Sequence, residues 1–317
     1  MTLRTRIITY SGVLFALVVL YILGIALGPQ RAVARSLLPG LESDSVTRLE
    51  IFGESSIELE SADRETWEIL LFERRFPARA ERVASFLEEL SSARAVRVVT
   101  RNRGLWSDLG VAESEGIRIA VETSSPERER RSYGFVWGSA STEPGLSFVR
   151  MEGADEVVAT DAQLDFFLQQ PTAYWSYLRL FPEDILPGDV ITVTAATPSG
   201  MQGYAFQKST GQDSEQWIDA EGDPVDAQIM TPLLRTLVDL VGKEFAADQS
   251  IIQAGSETTR ITFDLSDGRQ FQVRLVPNGA DYRAQAEGPA VPAAAYGTIV
   301  YLLEGRTVDR IFPGEPE

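Results

Sequence analysis

The chain opens on an unbroken apolar run and only afterwards begins to alternate. Residues 7–27, IITYSGVLFALVVLYILGIAL, carry no charge, and only Thr9, Tyr10, Ser11 and Tyr21 add polar side-chain atoms. The run is apolar on every face, and at about 1.5 Å per residue it matches the roughly 30 Å hydrocarbon core of a bilayer. In lipid a helix satisfies its own backbone polar groups, so the run predicts a transmembrane helix, with membrane lipid as its partner. A cleaved signal peptide is the competing reading, with Ala32-Val33-Ala34 as a small-x-small site. Arg4, Arg6 and the amino terminus favour a cytoplasmic stretch at 1–6. The bulk of the chain then lies outside the cytoplasm, at the cell (inner) membrane. Gly28-Pro29 and Leu38-Pro39-Gly40 mark residues 28–45 as a linker.

From Val46 the period changes to two. Val46 to Phe52 and Ser56 to Glu60 alternate apolar and polar, and a third strand surrounds Trp67. Val83, Phe86, Leu87 and Leu90 then recur at helical spacing after Pro77, which suits a first-turn position. Strands follow near 94–100, 116–122, 132–137, 146–151 and 155–159. A short helix is expected from Asp161, as N-cap, to Gln169, ended by Pro171.

The second half follows the same plan. Strands at 189–195, at 201–207 and around Trp217 precede Asp223-Pro224 and a helix bearing Ile229, Leu233, Leu234, Leu237, Leu240 and Val241. Ser266-Asp267-Gly268 signals a hairpin between 258–265 and 269–276. Another strand near 281–286 and a final helix at about 293–304 complete it. Arg179-Leu180-Phe181-Pro182 closes the first half, and Arg310-Ile311-Phe312-Pro313 closes the second. The expected fold class is α+β: an N-terminal transmembrane helix, then two tandem, duplicated units of antiparallel sheet with packed helices. The units span 46–182 and 183–317.

Composition narrows the chemistry. The 317 residues contain no cysteine and no histidine. Disulfides, thiolate nucleophiles, zinc fingers, Ser–His–Asp triads and histidine-ligated metals or haem are thereby excluded. The net charge is −17, with 46 acidic residues against 29 basic ones, and the first 40 residues hold four arginines and no acid. The remainder should repel nucleic acid and anionic lipid headgroups. No Walker A, G-x-S-x-G or G-x-G-x-x-G pattern occurs. Asp219, Glu221, Asp223 and Asp226 have a loose calcium-loop spacing but lack the downstream bidentate acid, so they read as a turn and a helix N-terminus. The sequence points to no enzyme, no cofactor, no metal and no catalytic residue. Phe166, Phe167, Tyr174, Trp175, Tyr177 and Phe181 form the densest aromatic stretch. It reads first as core, and Tyr174, Trp175, Tyr177 and Phe181 are the candidate ligand or partner contacts.

One resemblance adds to this. The strand meander, Trp67, the helix, Leu109-Gly110-Val111, Phe135-Val136-Trp137-Gly138 and Phe148-Val149-Arg150 occur in that order. The closing Tyr174–Leu178 segment follows them. The ordered set resembles the bacterial domain-of-unknown-function-4340 family. The resemblance implies an N-terminal anchor and tandem α+β units outside the cytoplasm. It also implies the company of gliding-motility-type ABC transporters, hence a membrane protein partner such as ABC transporter subunits. The leading expectation is a single-pass, membrane-anchored binding or accessory protein. A ligand-binding sensor or substrate-capture domain, with an apolar pocket between the units, is the second. A carboxylate-based envelope hydrolase is the third.

Overall fold

The computed structural model describes residues 35–53, 56–61, 63, 65–125, 128–140, 144–198, 203–210, 215–255 and 258–312. The predicted span at 7–27 and the Ala32–Ala34 site lie outside them. Among the described residues no helix is long and apolar enough to cross a membrane.

Alternation in the first half becomes a ten-stranded, wholly antiparallel sheet. Its strands are β1 (Arg35–Ser36), β2 (Val46–Phe52), β3 (Ser56–Ser61), β4 (Trp67–Leu71), β5 (Arg74–Pro77), β6 (Arg94–Thr100), β7 (Ile117–Ser125), β8 (Arg128–Ala140), β9 (Ser147–Met151) and β10 (Val157–Thr160). Helix α1 (Ala80–Ser92) carries the chain from β5 at one edge across to β6 near the other. It buries Val83, Phe86, Leu87 and Leu90, as its period of 3.6 requires. The buried side chains Leu49, Ile51, Ile57, Leu59, Trp67, Ile69, Ile119, Val121, Phe135 and Trp137 share one contiguous core with that helix. Arg48 and Arg75, which alternate with them, form an ion-pair lattice with Glu50, Glu58, Glu60 and Glu68. Helices α2 (Asp165–Leu168) and α3 (Thr172–Trp175) close the half.

The second half builds an eight-stranded antiparallel sheet from β11 (Val190–Ala196), β12 (Tyr204–Thr210), β13 (Glu215–Ile218), β14 (Glu244–Phe245), β15 (Thr259–Leu265), β16 (Gln270–Asn278), β17 (Asp281–Glu287) and β18 (Tyr301–Glu304). Its helices are α4 (Ala227–Val238), α5 (Pro292–Tyr296) and α6 (Gly305–Asp309). The strand order is β14-β18-β17-β16-β15-β11-β12-β13, and the first sheet reads β6-β10-β9-β8-β7-β2-β3-β4 between its extra edge strands. The two orders correspond element by element, with α1 and α4 in the same place. Individual contacts match as well. Ala78 N–H donates to Trp67 C=O at 2.8 Å, and Val225 N–H to Trp217 C=O at 2.9 Å. Trp67 pairs with Ser61, and Trp217 with Lys208.

Several sequence expectations are corrected. Pro77 ends β5 rather than opening α1, which begins at Ala80 behind Arg79. Strand β5 itself was not foreseen. Its hairpin turns on Phe72 and Glu73, at φ 52° and 60°, without the Asn or Gly that usually marks such a turn. Asp161 does not cap a helix: its carboxylate accepts the Arg94 backbone N–H at 2.9 Å, and α2 starts four residues later. Pro171 does not end that helix but sits at the N-cap of α3. The helix expected at 293–304 stops at Tyr296, where Gly297 adopts φ 74°, and Tyr301–Glu304 is a strand. Residues 35–45 are no free linker, since Leu37, Leu38 and Leu41 are buried in the core and Leu37 N–H donates to Ala93 C=O. Trp217, the counterpart of the buried Trp67, is only half-buried.

Candidate interaction site

The aromatic stretch after β10 is fixed at its start by one carboxylate. Asp165, at the head of α2, accepts the Trp137 indole N–H at 2.7 Å and the Ser147 hydroxyl at 3.2 Å. The chain then turns inward. Trp175 is fully buried and stands edge-on to Phe86 and Tyr174, with ring centroids 5.8 and 5.3 Å apart. Phe181 is fully buried too, but in the other sheet's core, edge-on to Phe263 and Phe271. The four residues singled out by sequence are therefore divided. Trp175 and Phe181 fill two core positions, whereas Tyr174 and Tyr177 stay half-buried.

Between those two plugs the backbone straps the halves together. Ala78 bridges Ser176, Arg79 N–H donates to Trp175 C=O, and Tyr177 N–H donates to Pro77 C=O. Farther along, Leu180 N–H donates to Leu240 C=O and Gly242 N–H to Leu178 C=O. Arg179 adds a 2.8 Å ion pair to Asp239. Beside the strap Phe76 stacks on Phe245 at 4.4 Å, and Arg74 donates to Thr298 C=O. Large side chains thus occupy the junction where the sensor reading placed a pocket.

What the stretch presents outward is a compact aromatic patch. Phe166 is 60% exposed and stands edge-on to Phe167 and Tyr174. The Arg82 guanidinium lies 4.1 Å from the Tyr174 ring centroid and donates to the Tyr174 carbonyl. Sequence reasoning missed Arg82. It lies on α1, 92 residues from its partner, and nothing local marks it.

A second polar cluster explains the ordered motifs. On the sheet face opposite the main core, residues 101–116 fold over β8, β9 and β10 and bury Val111, Val136 and Val157. Arg150, 3% exposed, donates from Nε to Val111 C=O at 3.0 Å and lies 4.1 Å from the Trp106 ring. One Nη of Arg150 has no hydrogen-bond partner, and Glu113 is 3.9 Å away. A Cβ at Gly138 would overlap the Leu109 carbonyl oxygen and lie 2.6 Å from Val111 Cγ1. Leu109-Gly110-Val111, Trp137-Gly138 and Arg150 are therefore parts of one clamp on this loop.

The titratable groups fit structural roles. Asp63, Asp248 and Asp267 have pKa values below the usual carboxylate range, chiefly through hydrogen bonds from Thr66, Ser250 and Arg269 in their own turns. Asp219 accepts two backbone N–H groups of its turn, and Asp226 caps α4. Among the described residues no three or more acids are grouped to hold a metal ion. Burial, then the charge of Glu183 and the hydrogen bond to it, push Tyr177 up to about 12. Burial raises Tyr204 and Tyr301 as well. In an unfolded chain tyrosine ionises near pH ~10. Stability held by the neutral phenols is thus complete below that pH and is lost as pH rises towards 12. In an alkaline titration, phenolate absorbance from these tyrosines should appear together with loss of the far-UV signal. Their ionisation near pH 10 in a still-folded protein would contradict this.

The model of the family described as Domain of unknown function (DUF4340) matches residues 72–277. That stretch is more than half the chain. It begins at the β4–β5 turn and ends in β16, and so contains α1, the loop clamp, the aromatic patch and the strap. No curated protein and no solved structure matches the chain.

Proposed function

The chain belongs to the DUF4340 family, and we propose that it is a membrane-anchored, extracytoplasmic binding protein that acts by contact with a membrane protein partner. The partner we put forward is a gliding-type ABC transporter complex, which the chain would serve as an auxiliary component. We read its two units as copies of one ancestral unit, on the strength of the matching strand orders. The observation that carries the binding reading is the Phe166–Tyr174–Arg82 patch. Aromatic and arginine side chains dominate the energetics of protein contacts when they stand on a rigid base, and here that base is the buried Trp175. The ligand-sensor alternative loses support because Trp175 and Phe181, the large side chains nearest the junction, are fully buried.

The anchor at 7–27 would raise the local concentration of this patch beside a membrane partner, so modest affinity would suffice. A photoreactive amino acid placed at Phe166 in the full-length, membrane-inserted protein should capture a discrete membrane protein. Tyr174→Ala with Arg82→Ala should lower the yield about tenfold without unfolding the chain. Capture of nothing at Phe166, or equal capture from an exposed control site such as Glu113, would refute the reading.

A further inference from the structure

The junction between the two halves is of the head-to-tail kind. The β5 end of the first unit meets the β14 end of the second, and Phe76 stacks on Phe245. Among the described residues, the same two ends recur, unjoined, at the outside of the array. The ladder pairings identify them. Starting from the paired positions Leu49 and Val193, one path runs through Val121, Tyr133 and Trp137 to Val149, Val158 and Val98. The matching path runs through Phe263, Phe271 and Leu275 to Ala284, Tyr301 and Phe245. Val98 therefore holds the position of Phe245. Phe245 is 4% exposed, whereas Val98 is 43% exposed. At the opposite end Trp217 stands where Trp67 stands, and the shared Ala78/Val225 hydrogen bond puts Asp223 where Phe76 is.

The two outer ends carry opposite charge. Around Val98 a groove of about 210 Å³ is lined by Arg35, Arg97, Arg101 and Glu156. Arg35 and Arg101 share the single carboxylate of Glu156, at 2.7 and 2.6 Å, which leaves net positive charge there. The Trp217 end carries Asp219, Glu221 and Asp223 in one tight turn that directly follows β13 and its half-buried Trp217. Like charges would keep such ends apart, whereas opposite charges steer them together.

We infer that these ends form an intermolecular interface: the Trp217 end of one copy docks on the Val98 groove of a second copy, repeating the internal junction with ion pairs in place of the Phe76–Phe245 stack. Such a contact is heterologous, so it propagates as a row unless it closes into a ring. Being carried by exposed charge, it is salt-sensitive. It does not depend on the identity of the partner at Phe166.

The absence of native cysteine makes the test direct. Two full-length variants, Val98→Cys and Asp223→Cys, are mixed in detergent solution and oxidised, each first shown to unfold cooperatively like the parent. The expected product is the mixed 98–223 dimer, in excess over either same-site dimer. Its yield should fall about fivefold or more between low salt and about 0.5 M salt, and likewise in Arg97→Glu with Arg101→Glu. A mixed product no more abundant than the same-site ones, a yield unmoved by salt, or no product at all would overturn the inference.

Discussion

Replacing Phe181 by alanine should cost the folded protein about 3–5 kcal/mol, the range for truncating a large buried aromatic. Phe181 sits between Phe263 and Phe271, with centroids 5.0 and 5.7 Å away, and is fully buried. The cavity cannot collapse easily. The strap that carries the residue is bonded to Pro77–Arg79 on one side and to Leu240–Gly242 on the other, so its backbone is held in place. Because the strap ties both sheets, the loss should appear in the unfolding of the whole chain rather than of one half. Urea denaturation followed by far-UV circular dichroism and tryptophan fluorescence would measure it. A loss below about 1 kcal/mol would mean that the side chain does not plug the second core.

The second large effect is expected at Gly138. A methyl group there must displace the backbone at Leu109 and the Val111 side chain, and neither is the free end of a flexible side chain. Overpacking of this kind costs about 1–3 kcal/mol. The strain should be relieved by lifting the 101–116 loop. That lift would pull the Val111 carbonyl from Arg150 and leave a buried guanidinium short of a partner, which adds to the cost. Gly138→Ala should therefore lower stability and also raise amide exchange and protease cleavage selectively within 101–116. Unchanged protection of that loop would show that the clamp is looser than its geometry implies.

The elements that sequence made legible are those whose pattern is local. The two-residue alternation of β2 and β3 and the 3.6-residue stripe of α1 announce themselves, because each buried face is written within a single segment. The elements missed depend on distant partners. Asp161 is a good N-cap by type, but its carboxylate is engaged by the Arg94 N–H across the chain. Residues 301–304 continue a helical-looking apolar run, yet pairing with β17 and β14 makes them a strand. The candidate site was half legible. Phe166 and Tyr174 could be picked out from aromatic density alone. That Trp175 and Phe181 turn inward, and that Arg82 completes the patch, follows only from how α1, α3 and the strap meet.

The central claim is that the chain works by being held beside a membrane partner through the Phe166–Tyr174–Arg82 patch. The most direct test inserts a specific protease site between residues 28 and 34 of the full-length protein, with the photoreactive group at Phe166. Capture of the partner is then compared before and after cleavage of the tether. The account predicts a discrete membrane-protein adduct from the intact chain and a fall of about 10²-fold or more once the domain is released at equal total concentration. An adduct yield that cleavage leaves unchanged, or no adduct from the intact chain, would contradict it.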